Sequence, residues 1–171
     1  QRKRDPRSLP SHIYDDDGTV IAPAWDVYDG PLARVARKYA PYRDLDIWFL
    51  SARFGLISRL HRIPLYDQKM TIGQADDADW IGTHITVPWL RIGAAGFYEN
   101  VYTCLPRRYE AALAAGLGSL GIEPISLLSD DRRGQGYMSQ ALKVGIFGAV
   151  ALIVTLGNIS FPVAVLTGMV G

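Results

Sequence analysis

Every charged side chain of this 171-residue sequence, 18 basic and 17 acidic, lies at or before Lys143, and the 28 residues from Val144 to Gly171 carry none. A chain so divided expects two environments: a globular domain over residues 1–143 and an apolar tail over residues 144–171 that belongs in a membrane or against a hydrophobic partner. Within the tail, Thr155 is the one polar side chain of the 14-residue stretch Val144–Gly157. As one helix the tail would reach about 42 Å, more than a hydrocarbon core of about 30 Å. Asn158, Ser160, Pro162 and the internal glycines would instead divide it into two short helices or a hairpin. Arg132, Arg133 and Lys143 precede the tail, so a single span would leave the domain on the cytoplasmic side.

With 49% hydrophobic residues the chain can bury a sizeable core, and its formal net charge of +1 gives no overall field for a polyanion. An electrostatic partner must therefore be met locally. Cys104 is the sole cysteine, which excludes an intrachain disulfide and suits a reducing compartment. His12, His61 and His84 have no metal-ligand spacing, and the acidic groups Asp15–Asp17 and Asp76, Asp77 and Asp79 lack a calcium-loop pattern. No metal or cofactor is expected. The sequence opens on Gln1-Arg2-Lys3-Arg4 without a Met or a signal-like apolar stretch, so further residues are expected upstream.

Element signals point to an α/β class, with a mostly parallel open sheet flanked by helices and a C-terminal apolar helical segment. Residues 1–31 read as loop with an extended piece at Thr19–Ala22. Pro31 at a first helical position, with apolar residues Leu32, Val35, Ala36 and Tyr39, predicts a helix whose exposed face carries Arg34, Arg37 and Lys38. Asp46–Ser51 is a continuous apolar run suited to a buried strand, with Ser51 at its carboxyl end, where open sheets place ligands. Arg53–Thr71 reads as loop, Trp89–Ile92 as a strand, Gly96–Leu105 as a helix and Pro106–Ala115 as another helix. Gly116, Gly118 and Gly121 then follow a helix rather than a strand, which marks a turn and not a phosphate loop.

Three blocks carry a resemblance. They are Tyr28-Asp29-Gly30-Pro31-Leu32 leading into a basic helix, Trp48–Ile57 with Ser51-Ala52-Arg53-Phe54-Gly55 at its centre, and Ile63–Met70 with Tyr66-Asp67. In this order the chain resembles an uncharacterised bacterial domain family distantly similar to the YaaA peroxide-stress proteins. The resemblance spans roughly residues 1–143 and implies an α/β fold related to the DNA-glycosylase and transglycosylase group, with nucleic-acid or nucleobase binding as its role. Members of that family usually begin with a strand ending in a cysteine-serine pair, which this sequence lacks, and often carry lysine where Arg53 stands.

Read as chemistry, Ser51 offers a hydroxyl at a strand end, Arg53 a planar cation for phosphate, Tyr66 a stacking face and Asp67 an acceptor. An Arg53–Asp67 ion pair with Tyr66 capping the core explains the same residues equally well. Arg2, Lys3, Arg4 and Arg7 form a compact basic run that reaches phosphate oxygens, and Arg34, Arg37, Lys38 and Arg43 would extend it. The expected partner is thus nucleic acid or a nucleotide-like ligand, bound by Arg2, Lys3, Arg4, Ser51, Arg53 and Tyr66. If the protein is an enzyme, the resemblance implies cleavage at an N-glycosidic bond, with Asp67 as the carboxylate and Arg53 as an electrostatic stabiliser. The alternative is a structural or accessory subunit of a membrane-associated complex, assembled by its tail.

Overall fold

The structure is a computed structural model that describes residues 3–39, 45–91, 98, 100–128, 141–142 and 163–168. After a 3-10 turn at Pro6–Ser8 come strands β1 (Ile13–Tyr14) and β2 (Val20–Pro23), helices α1 (Ala24–Val27) and α2 (Pro31–Tyr39), then strands β3 (Leu45–Ser51), β4 (Gly55–Ser58) and β5 (Arg62–Pro64). Helices α3 (Ile72–Asp76), α4 (Ala78–Ile81) and α5 (Val87–Arg91) follow, the last two joined by a π-helical turn at Gly82–Thr86. The described chain continues with β6 (Val101–Cys104), α6 (Arg107–Gly118), β7 (Ile125–Ser126) and β8 (Val163–Gly168).

β3 organises the molecule because its apolar run serves both faces of a sheet. Ile47 and Phe49 pack into one core with Val27, Tyr28, Leu32 and Ile63, while Leu50 joins Ile85, Trp89, Leu113 and Leu117 in the other. This is the period-two alternation of a strand. Burying each such side chain contributes about 1.5–3 kcal/mol. The first core is closed by α1, α2 and the three-stranded sheet, and the second by α3–α6.

The expected fold class is corrected. The strands divide between two sheets: an all-antiparallel one of order β1-β2-β5, and a mixed one of order β4-β3-β8-β6-β7 whose edge strand β4 runs antiparallel to β3. Among the described residues, parallel pairing joins β8 to β3 and to β6, and β6 to β7 in a short pair. The C-terminal segment is also corrected. Residues 163–168 form a strand between β3 and β6 where an apolar helix was expected. An uncharged apolar run suits a strand with neighbours on both sides as well as it suits a buried helix, and periodicity does not separate the two. Among the described residues no helix is long and apolar enough to cross a membrane. Residues 144–162 and 169–171 of the expected tail lie outside the described residues.

Two further expectations fail for identifiable reasons. Of the strand expected at Trp89–Ile92, residues 89–91 are instead the end of a helical run starting at Ala78, whose Ile81, Ile85 and Trp89 recur every fourth residue and are buried, and Ile92 lies outside the described residues. Pro88 has no N–H for the carbonyl four residues back, and the run adjusts through its π turn, in which Val87 N–H donates to the Gly82 carbonyl. Within the helix expected at Gly96–Leu105, Val101–Cys104 are instead strand β6, where pairing with β7 and β8 outweighs the helical spacing of its apolar residues, while residues 96, 97 and 99 lie outside the described residues. The supposed loop Arg53–Thr71 contains β4 and β5, too short to show a period.

Candidate nucleic-acid interface

Lys3 and Arg4 are docked on the junction of α1 and α2. Lys3 forms an isolated antiparallel bridge with Tyr28, and the Arg4 N–H donates to the Val27 carbonyl at 2.8 Å. This places Arg4 beside Asp29, two residues ahead of α2. Arg34 and Arg37, one helical turn apart on α2, reach back to the same carboxylate.

Three guanidiniums therefore share one acceptor. Arg4 Nη2 donates to Asp29 Oδ1 at 2.7 Å, Arg37 Nη2 to Oδ1 at 2.8 Å, and Arg34 Nη2 to Oδ2 at 2.9 Å. Arg37 also donates through Nη1 to the Trp25 carbonyl at 2.5 Å and the Tyr28 carbonyl at 2.7 Å. Asp29 is buried, whereas the side chains of Arg4 and Arg34 remain 46% and 59% exposed. Hydrogen bonds from Arg34, then from Arg4, hold the Asp29 carboxyl well below the usual carboxylate range, against the opposing effect of desolvation. One negative charge organises three positive ones, leaving these four side chains a positive excess that the charge of Asp26 on Arg37 partly offsets.

Beside it lies a buried hydroxyl chain. Tyr66 OH hydrogen-bonds to Tyr28 OH and lies 2.9 Å from Ser51 Oγ. Ser51 Oγ in turn accepts from the backbone N–H groups of Phe54 at 3.0 Å and Arg53 at 3.1 Å, fixing the turn between β3 and β4. Burial pushes both phenols up, so they stay neutral donors and acceptors at neutral pH. The Lys3 ammonium covers the Tyr66 ring at 3.6 Å from its centroid and donates to the Tyr66 carbonyl at 2.7 Å. Burial lowers the pKa of Lys3, while the charge of Asp67 opposes that shift.

The structure thus brings Lys3, Arg4, Ser51, Arg53, Tyr66 and Asp67 into one neighbourhood but changes several of their posts. Tyr66 is buried with its hydroxyl pointed inward and its ring covered, so it has no free face for a base. The Ser51 hydroxyl is fully buried and spent on the turn. Arg53 and Asp67 are both exposed, and among the described residues no ion pair joins them. Arg2 and Arg43 lie outside the described residues. The sequence reading missed Asp29 as the hub of the cations. The available signal was a carboxylate just ahead of a helix bearing Arg34 and Arg37 on one face. The pairing with Arg4 crosses 25 residues and left no local trace.

The histidines remain apart. His12 Nδ1 lies 2.6 Å from the Leu9 carbonyl, and His84 Nδ1 lies 3.1 Å from that of Trp80. Among the described residues no three His, Cys, Asp or Glu side chains gather in a metal-binding group. Compared with known proteins, the chain matches no family model, and neither a curated protein nor a solved structure matches it.

The hydroxyl chain makes a direct prediction. Tyr66→Phe keeps the ring but leaves the buried hydroxyls of Ser51 and Tyr28 each short of one partner, so stability should fall by about 1–3 kcal/mol. Urea unfolding followed by circular dichroism measures this. A loss under about 0.5 kcal/mol would show that the chain of hydroxyls adds nothing to the fold.

Proposed function

We propose that this protein binds nucleic acid, gripping the phosphate backbone with the cations assembled around Asp29. The observation that carries the reading is the convergence of Arg4, Arg34 and Arg37 on one buried carboxylate while Arg4 and Arg34 stay about half exposed. A carboxylate fixes guanidiniums in place without neutralising them all, and their remaining N–H groups suit phosphate oxygens. Lys3 and Arg53 extend the positive surface, whereas Arg7 is paired with Asp5 at 3.5 Å. The three sequence blocks resembling the YaaA-like group converge on the same region and support a nucleic-acid ligand.

The reading is one of binding first. Asp67 and Arg53, the pair the resemblance implies for N-glycosidic cleavage, both stand exposed, Asp67 with its charge acting on Lys3 and Arg53 serving as a further phosphate contact. The alternative of a tail-assembled subunit has less support, because residues 163–168 are a strand of the domain's own sheet.

Binding of the full chain to labelled single-stranded and duplex DNA and RNA across a salt series tests the proposal. Affinity should fall linearly with salt on logarithmic axes, and Arg4→Ala and Arg34→Ala should each lower the slope by about one unit. Circular dichroism checks that each variant is folded. Absence of binding at low salt, or an unaltered slope in both folded variants, would sink the reading.

A further inference from the structure

The surface next to the arginine cluster repeats one arrangement twice. Arg53 lies over the Phe54 ring with its guanidinium carbon 5.3 Å from the centroid, and Arg59 lies over the Trp25 ring at 5.7 Å. Both rings are half-buried, anchored from below: Phe54 meets Tyr66 edge to face at 5.1 Å, and Trp25 meets Phe49 at 6.4 Å. The two pairs are tied together by the turn between β4 and β5. Its Arg59 carbonyl accepts from Trp25 N–H at 3.0 Å and its His61 carbonyl from Ala24 N–H at 2.7 Å, while the exposed His61 ring lies 6.4 Å from Phe54. Trp25 in turn gives its carbonyl to Arg37, so the strip is continuous with the cations around Asp29.

We infer that this strip is a stacking platform for the unpaired bases of single-stranded nucleic acid, with Phe54 and Trp25 each receiving one base. The inference rests on the proposed phosphate-binding reading and adds what that cluster alone does not supply, a way to tell single strands from duplex. A guanidinium over a surface ring is a weak, removable cover, worth about 0.5–1 kcal/mol. A base replacing it removes more apolar ring surface from water, and the displaced arginine finds the phosphate that arrives with that base. In a duplex the base faces are already stacked on one another and are not available to the rings. The stacking role expected of Tyr66 passes to Phe54, the ring that Tyr66 supports from the interior.

The test compares the full chain with Phe54→Leu and Trp25→Leu, which keep an apolar side chain but lose the aromatic face. Probes are oligo-dT and oligo-U, a duplex of equal length, and inorganic polyphosphate as a polyanion without bases, all at one salt concentration. The wild type should prefer both single strands to duplex. Each substitution should lower the ratio of single-strand to duplex affinity by about 5- to 150-fold, the equivalent of 1–3 kcal/mol per stacked base. Wild-type binding of duplex and polyphosphate without single-strand preference, or a ratio unchanged in both variants, would overturn the platform and leave the phosphate reading standing. Failure of the wild type to bind any of the four probes would remove both.

Discussion

Asp29→Asn is expected to destabilise the protein by about 3 kcal/mol, although the substitution changes almost no volume. Breaking a buried ion pair by removing one partner typically costs about 3–5 kcal/mol, because the other charge is left without compensation. Here the lower end applies, since Arg4 and Arg34 reach solvent and their share of the interaction is screened. Arg37 cannot escape so easily. Its side chain is 21% exposed, and its pKa is already lowered, first by desolvation and then by the charge of Arg4. The sign of the pH dependence follows from the direction of the Asp29 shift. A carboxyl whose folded pKa lies below its unfolded value of about 3.9 contributes its stability above that value and loses it as pH falls towards the folded pKa. The stability gap between wild type and Asp29→Asn should hold constant from about pH 5 to 8 and narrow below about pH 4. Urea titrations across that range measure it. A gap that persists unchanged well below pH 3, while the wild type remains folded, would mean that the Asp29 charge is not what stabilises the junction.

How much of this was legible in the sequence depends on the range of the interactions involved. Helix α2 was legible because Pro31 sets its first turn and Leu32, Val35 and Ala36 supply its buried stripe, all within nine residues. α6 was legible after Pro106 for a similar reason. β3 announced itself as an apolar run, but its partners did not. The neighbour β4 has four residues, and β8 returns from more than a hundred residues downstream to pair parallel with it. No local pattern specifies such a pairing, and the uncharged composition that suits β8 to the interior of a sheet was the feature that suggested a membrane.

The candidate site divides along the same line. Lys3, Arg4, Ser51, Arg53, Tyr66 and Asp67 were recognisable by chemistry and proved to be neighbours, yet their exposure was not recognisable. A tyrosine beside an aspartate reads as a polar pair, but alternation on the strip leaving β5 sends Tyr66 inward and Asp67 outward. Phe54 was named within the second resembling block but given no role of its own. Its position in the tight turn that follows Ser51, with Ser51 Oγ holding its N–H, is what brings part of its ring to the surface.

That turn depends on one backbone approach, and Gly55→Ala should reveal it with a loss of about 3–4 kcal/mol, a fall in Tm of roughly 10 °C for a chain of this size. Two costs combine. Gly55 has φ +70°, a left-handed conformation that costs an L side chain about 1–2 kcal/mol. A Cβ there would also lie 2.2 Å from the His84 carbonyl oxygen and 2.5 Å from His84 Cβ. Neither is the tip of a flexible side chain, so the π-helical turn itself must move, and such overpacking adds about 1–3 kcal/mol. Gly121→Ala separates the two costs: Gly121 has φ +75° but nothing within 4 Å of its added Cβ, so it should lose only about 1 kcal/mol. Thermal unfolding of both variants gives the difference. Equal losses would show that β4 and the His84 turn are not in tight contact. A markedly larger loss at Gly55 identifies that contact as the clamp holding the Ser51–Gly55 turn, and with it Arg53 and Phe54, against the helical side of the domain.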